Sequence, residues 1–340
     1  MLKKIFNYIK ETIKEEYKFI IFLLLLTIIL NIPVNYYITT GGGISDISER
    51  IEVKNGKKSK GSFNLSYVTQ LDGTLLSYGL SYIIPSWERE SADDYKIDLD
   101  EDINDIEFRS KMELEDANQT ATYLAYKLAN KKVEEIEKKI YVISKSDKEY
   151  PTPIKIQDEI ISIDDHKYDN VDDYSDYIQT KSVGDELSVK VIRKKKEKII
   201  KTKVYEDHGR KLMGIYLQSI TKYKTEPKVN FKYKSKESGP SAGMITTLEI
   251  YNQLTKEDLT KGLKIAGTGT VNPDGTIGQI GGIEHKLKGA SHAKADIFLS
   301  PGEQNYEDAK KYLEENNLKI KLIKVETIDE AINVLKEMKN

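Results

Sequence analysis

From Phe19 to Val34 the chain carries no charged residue (FIIFLLLLTIILNIPV), and the uncharged stretch runs on through Tyr36 and Tyr37 to Ser45. A helix needs about 20 apolar residues to cross a bilayer core, and Tyr17, Tyr36 and Tyr37 sit where interfacial aromatics belong. Lys3, Lys4, Lys10, Lys14 and Lys18 precede the run, whereas no Lys or Arg follows it before Arg50. The pattern predicts a cytoplasmic tail over 1–18 and a transmembrane anchor over 19–38, with the remainder of a single-pass cell-membrane protein outside the cytoplasm. No A-x-A-like site follows, so an uncleaved anchor is expected rather than a signal peptide. A buried core helix is the other way to use such a run.

Beyond the anchor the periodicity changes. GSFNLSYVTQ, LDG and TLLSYGLSYIIP alternate polar and apolar residues around a turn and predict a β-hairpin. The acidic SADDYKIDLDEDINDIE reads as a solvated loop or helix face. Met112, Ala117, Ala121, Leu124 and Leu128 then recur at helical intervals within EFRSKMELEDANQTATYLAYKLANKKVEEIEKK, which predicts a long helix or a helix pair. Residues 39–138 form one extracytoplasmic region on this reading. From Lys139 to Tyr205 the order is strand (IYVIS), strand (DEIISID), helix (DNVDDYSDYIQ) and strand (ELSVKVIRK), with Gly184-Asp185 as the last turn. The basic RKKKEKIIKTK continues the alternation and reads as a solvated strand face. No glycine lies between Gly79 and Gly184, whereas thirteen of the 21 lie from Gly209 onward, which places a domain of tight turns over 209–340.

Composition narrows the chemistry. Opposing totals of 53 basic and 55 acidic residues leave a net charge of −2, so no basic field points to nucleic acid. The absence of cysteine removes thiol catalysis, disulfides and thiolate metal sites. His166, His208, His285 and His292 show no HExxH spacing, so neither a metal nor another cofactor is expected, and no GxxxxGK[ST] marks a nucleotide site.

Two stretches of the last domain carry the candidate chemistry. In ESGPSAGM, Ser241 opens a helix whose Met244, Leu248, Tyr251 and Leu254 recur at helical spacing. There the unsatisfied N–H groups and the positive end of the dipole favour a developing oxyanion. A plain N-cap is the alternative role for that serine. In IAGTGTVNPDGTIGQIGGIEHKLKGA a strand, an Asn-Pro-Asp-Gly turn, a second strand and a double glycine lead into a helix, with Lys286 in its first turns. A lysine serves as a base only if its pKa falls well below about 10.4, which burial among apolar groups achieves. Ile283, Leu287, Met244 and Ile265 could form that environment.

The 139–205 module resembles a PDZ domain, with DEIISIDDHKY in the place of the family's GDxIxxIDG. Gln157 stands where that family has glycine, and Tyr141–Ile156 lacks the glycine of a carboxylate-binding loop. Strand addition is therefore the expected mode of peptide capture, rather than recognition of a free C-terminus. The GPSAG and TGT…GGI..K stretches resemble the proteolytic domain of the Lon family of serine proteases, and the likeness continues through ADIFLSPGEQNYEDAKKYL.

That resemblance implies a Ser-Lys dyad: Ser241 as nucleophile, Lys286 as general base and Thr268 as the residue that orients the lysine. Gly239, Pro240 and Ala242 would frame the oxyanion and substrate backbone, with Pro240 unable to donate. The implied architecture is an α+β multidomain chain: a transmembrane helix, a PDZ-like module and a Lon-type α/β domain of the ribosomal protein S5 domain 2-like fold. Together these resemble membrane-anchored, PDZ-containing Lon-like proteases of bacteria. The implied activity is ATP-independent cleavage of extracytoplasmic polypeptides, with no nucleotide or nucleic acid as partner, the membrane engaged through the N-terminal helix, and self-association through the proteolytic domain left open. Two alternatives stand beside it: a non-catalytic PDZ adaptor carrying a Lon-like scaffold, and a phosphate-binding protein.

Overall fold

The computed structural model describes residues 2–97, 101–146 and 149–338, with side chains described from Lys10 onward. It divides into two units, Met1–Gly41 with Val68–Tyr95, and Gly42–Tyr67 with Lys96–Asn340. In chain order the first elements are α1 (Leu2–Leu30), β1 (Pro33–Asp46), β2 (Ile51–Val53), β3 (Ser62–Thr74), α2 (Leu75–Leu80), β4 (Glu88–Ser91) and α3 (Ile103–Leu128).

The first unit holds α1, the first part of β1, the end of β3, α2 and β4. The anchor predicted over 19–38 is not present: among the described residues no helix is long and apolar enough to cross a membrane. The uncharged run is split between two elements. Helix α1 ends at Leu30, and β1 begins at Pro33, whose ring cannot continue a helical ladder and biases Ile32 toward extended backbone. The apolar helical part is thus Phe19–Leu30, preceded within α1 by Lys14, Glu15, Glu16 and Lys18, well short of the roughly 20 residues a span requires. The orientation deduced from the lysines presupposed that span. The second limb expected of a hairpin is also different: Thr74 and Ser77 form a capping box, so the chain leaves β3 into α2. Strand β1 pairs antiparallel with β4 from Tyr36↔Ser91 to Thr39↔Glu88, over buried Tyr37 and Ile38.

The second unit is built on a parallel sheet. Its later elements are a 3-10 turn (Pro240–Ala242), α5 (Gly243–Leu254), β13 (Lys264–Gly267), β14 (Thr270–Val271), β15 (Ile277–Gly278), α6 (Ile283–His292), β16 (Ile297–Pro301), α7 (Glu303–Glu315), β17 (Lys321–Val325) and α8 (Ile328–Glu337). β3 runs beside β13 (Phe63↔Ile265), β13 beside β16 (Ile265↔Ile297) and β16 beside β17 (Ile297↔Lys321), all parallel. Side chains that alternate along these strands feed two cores. Ile265, Ile297 and Leu299 pack with Met244, Ile245 and Leu248 of α5, with Leu124 and Ala125 of α3 and with Leu335 of α8. Ala266 and Phe298 pack with Ile283 and Leu287 of α6 and Ala309 of α7. Helix α5 is buried from Gly243 to Asn252, as a helix covered on both sides must be. The segment predicted as a flanking region therefore supplies a strand and a helix of this core: β3 joins its sheet, and α3 packs on α5.

Between α3 and the 3-10 turn lies the PDZ-like part: β5 (Lys132–Lys145), β6 (Glu159–Ile163), α4 (Val171–Gln179), β7 (Glu186–Arg193), β8 (Lys196–Lys203), β9 (Tyr205–Asp207), β10 (Arg210–Leu212) and β11 (Ile215–Glu226), followed by β12 (Val229–Phe231). Its main sheet has the order β11-β5-β6-β7-β8. α3 stops at Leu128, and Asn130 turns the chain at φ 52° into β5, so the tail of the predicted long helix is strand. β5 and β11 pair antiparallel from Ile215↔Lys145 to Glu226↔Lys132, a two-stranded ribbon that both leaves and re-enters the α/β part. The ribbon rests on α3, where Gln119 accepts from the Tyr223 N–H at 3.1 Å and Tyr123 stacks on Tyr223.

Inside this part Arg193 clamps Asp158 with two bonds of 2.7 and 2.6 Å, and the Asp158 side chain is 1% exposed. Asp158 also accepts from the Lys155 N–H at 2.9 Å, which fixes the turn before β6. Removing the cation leaves a buried carboxylate unpaired. Arg193→Met is expected to lower stability in urea unfolding by roughly 3 kcal/mol, whereas Lys201→Met, at an exposed pair with Glu186, should leave the midpoint in place.

Candidate functional site

Ser241 sits in the middle of the Pro240–Ala242 turn that opens α5. Gly239 precedes it at φ 89°, a left-handed backbone that favours glycine, and Pro240 occupies the first position of the turn, where no N–H is needed. The turn is sewn to the end of β13 by two main-chain bonds, Gly269 N–H to Ser241 C=O at 2.9 Å and Met244 N–H to Gly269 C=O at 3.0 Å. Gly243 lies so close to Val271 that an added Cβ would stand 2.8 Å from its Cγ1.

Thr268 follows β13 and is fully buried. Its hydroxyl donates to the Ser241 carbonyl at 3.2 Å, and its oxygen accepts from Lys286 Nζ at 3.2 Å. A hydroxyl has one proton to give. Since that proton goes to Ser241, the Thr268 lone pair faces the amine and sets its direction. The three residues that the sequence singled out across 241–286 are thus joined in one chain of contacts.

Lys286 lies one turn into α6, which starts after Gly282 in left-handed backbone (φ 67°). The residue is 4% exposed, with Ile283 and Leu287 buried beside it on the helix. Burial lowers its pKa from 10.5 to about 8, and no carboxylate among the described residues opposes the shift. Helix α6 can sit this close to the sheet because two glycines meet. An added Cβ on Gly42 of β1 would stand 2.2 Å from the His285 carbonyl oxygen, and one on Gly289 would stand 2.5 Å from the Gly42 carbonyl carbon. The GGG run at 41–43 was the sequence signal for this contact, and only the folded chain identifies its partner.

The framing residues divide by role. The Gly239 N–H donates to the Ser110 carbonyl of α3 at 2.9 Å, so Gly239 shapes the loop instead of offering a donor. Pro240 has no N–H, which leaves the main chain of Ser241 and Ala242 at the helix entrance. His285 shares α6 with Lys286 but points about 100° away around the helix.

A sheet edge beside a helix lies in the PDZ-like part. β11 is the outermost strand of its sheet, and α4 packs against β10 and β11. Met213-Gly214-Ile215-Tyr216-Leu217 leads into that strand with Gly214 at φ 72°, its Cα side pressed on the Tyr150 carbonyl. Gln179 at the end of α4 bonds both the N–H and the C=O of Lys211, at 3.0 and 2.9 Å. A glycine-led loop is therefore present, but it is supplied from beyond residue 205 instead of from Tyr141–Ile156. Gln157, in the family's glycine position, adopts φ 77° despite its side chain.

The buried lysine has a thermodynamic signature. Between about pH 8 and 10.5 the unfolded chain holds a proton on Lys286 that the folded chain has lost, so stability rises with pH there. Below about pH 8 the full cost of a buried ammonium applies, up to roughly 3 kcal/mol. Lys286→Met is expected to raise Tm at pH 7, and calorimetry across pH 7–10 should show the gain shrinking as the pH rises.

Comparison with known proteins finds two families, both within the second unit. Residues 131–204 match the family described as PDZ domain, and residues 234–337 match the family described as Lon protease (S16) C-terminal proteolytic domain. No curated protein matches. Among solved structures, the PDZ domain of the SdrC-like protein from Listeria monocytogenes is 26% identical over 23% of this chain and 85% of its own, with a TM-score of 0.21. The corresponding domain from Listeria innocua is 25% identical over 23% of this chain and 92% of its own, also with a TM-score of 0.21. The chain combines a PDZ domain with a C-terminal proteolytic domain of the Lon serine protease family.

Proposed function

We propose that the protein is an endopeptidase that cleaves accessible polypeptide segments without nucleotide, using Ser241 and Lys286 as a dyad. The observation that carries this reading is the Lys286 amine, buried and held on Thr268, which in turn holds the Ser241 backbone. Neutral Lys286 takes the Ser241 hydroxyl proton as Oγ bonds to the substrate carbonyl carbon, and the carbonyl π electrons move to oxygen. The N–H groups of Ser241 and Ala242 at the helix entrance receive that oxyanion. Its collapse breaks the C–N bond, and Lys286 returns the proton to the departing amine. A water then attacks the acyl carbon, giving a proton to Lys286; collapse breaks the C–Oγ bond, Lys286 returns that proton to Oγ, and the acid product leaves as its carboxylate with its proton released to solvent.

The PDZ domain's part in this reading is substrate presentation. An extended segment would add to the free side of β11 beside α4, through main-chain bonds. Entry and exit through one ribbon support such a role, since a segment held on β11 would lie on a strand that leads directly, through β12, toward the Ser241 turn.

Activity on an unstructured peptide, with no nucleotide added, is expected to rise with pH and level off near pH 8, following the loss of the Lys286 proton. Ser241→Ala and Lys286→Arg should each remove turnover by on the order of 10⁴-fold, and Thr268→Val by about 10- to 100-fold, the worth of an orienting hydrogen bond. Full activity in folded Lys286→Arg would exclude the dyad. Gly214→Ala forces a side chain into left-handed backbone against Tyr150. It is expected to raise KM for a long polypeptide about tenfold and to leave a hexapeptide unaffected; equal loss on both would assign the PDZ domain to support of the fold.

A further inference from the structure

We propose that Glu101, Arg109 and Ser144 are positioning residues for Ser241, acting through α3; the proposal rests on the reading of Ser241 as nucleophile. Arg109 and Ser110 are consecutive on α3, and each reaches a different part of the second unit. Arg109 Nη1 donates to Glu101 Oε1 at 2.6 Å, with side chains 9% and 1% exposed. Ser144 of β5, itself fully buried, donates its hydroxyl to the same carboxylate oxygen. The other oxygen accepts from the Ile97 N–H at 2.9 Å. One residue further along, the Ser110 carbonyl accepts the Gly239 N–H at 2.9 Å, two positions before Ser241.

The chemistry of the cluster argues for a role beyond holding the fold. Apolar residues of equal volume usually stabilise a core as well as a buried ion pair does, while removal of one partner strands a charge. What the ion pair adds is direction. Its short, charge-assisted bonds allow one placement of the α3 backbone at Arg109 relative to the PDZ strand. Ser110 inherits that placement because a helix is stiff from one residue to the next. The loop it steers has latitude of its own, since Gly239 lies in backbone that glycine enters freely. Fixing the Gly239 amide therefore fixes the direction in which Ser241 and the following N–H groups face. A hydroxyl on a PDZ strand is in this way connected by three hydrogen bonds and one peptide unit to the nucleophile turn.

The test uses the full chain carrying Ser144→Ala, Arg109→Met, Arg109→Lys or, as control, Lys198→Ala on the exposed face of β8. Labelling of Ser241 by a fluorophosphonate is expected to slow about threefold in Ser144→Ala and about tenfold in Arg109→Met, with partial rescue by Arg109→Lys and no change in the control. On a hexapeptide too short to engage the PDZ domain, kcat should fall by the same factors while KM stays within about twofold. Amide hydrogen exchange at Gly239 is the readout independent of activity, and it should accelerate about tenfold in Ser144→Ala and Arg109→Met. Unchanged Gly239 exchange in both variants would overturn the proposal. An inert wild-type protein whose Gly239 exchange still responds would refute the nucleophile reading and leave α3's hold on the loop established. Should Arg109→Met fail to fold, Ser144→Ala, which removes a neutral partner, decides the matter alone.

Discussion

A lysine amine kept out of water is the constraint around which this protein is arranged. An ammonium is among the groups most resistant to burial, and it stays dry only where the surrounding packing leaves no route for solvent. Every element near Lys286 serves that end: Ile283 and Leu287 on its own helix, Ala266 and Phe298 on the sheet beneath, and the two glycines that let α6 settle against β1. Thr268 then converts a buried amine into an aimed one, because its own proton is already committed to Ser241. Packing supplies the chemistry here, and hydrogen bonding supplies the geometry.

The same economy appears in the way the PDZ domain is housed. It interrupts the α/β part between a core helix and the strand before the Ser241 turn, so that part is not one contiguous stretch of chain. A two-stranded ribbon alone is marginal in water. This one is lengthened into the five-stranded sheet at one end and braced on α3 at the other by Gln119, Tyr123 and the Tyr126 hydroxyl on the Pro227 carbonyl. Helix α3 is thus shared property: its Leu124 and Ala125 belong to the core beneath α5, while its Gln119 and Tyr123 meet the ribbon.

The candidate chemistry was largely legible in the chain, because it depends on short motifs with local meaning. Pro240 and Gly243 mark a turn into a helix, Gly281-Gly282 mark another, and the apolar neighbours of Lys286 recur at i−3 and i+1 on a helix. What could not be read was long-range. Nothing in FIIFLLLLTIILNIPV states that the helix stops at Leu30, since Pro33 is compatible with a helix end or with a kink inside a span. Nothing near Ser62–Leu65 announces that those residues pair with a strand some two hundred positions later. The glycine loop of the PDZ domain escaped notice for a related reason: family order placed it before β6, whereas Gly214 enters after β10 and reaches the same sheet from the other end of the domain. Segments whose partners lie far along the chain carry no periodicity that names those partners.

The meeting of Gly42 and Gly289 has a consequence for how this chain can vary over time. Each glycine is occupied from the other side by main chain, not by a side chain that could shrink or rotate away. Replacement at one position cannot be offset by a smaller residue at the other, because both are already at the lower limit of size. The pair is therefore closed to gradual exchange, and a lineage that lost either glycine would have to move a whole helix, with the lysine on it, before any second change could restore the fit.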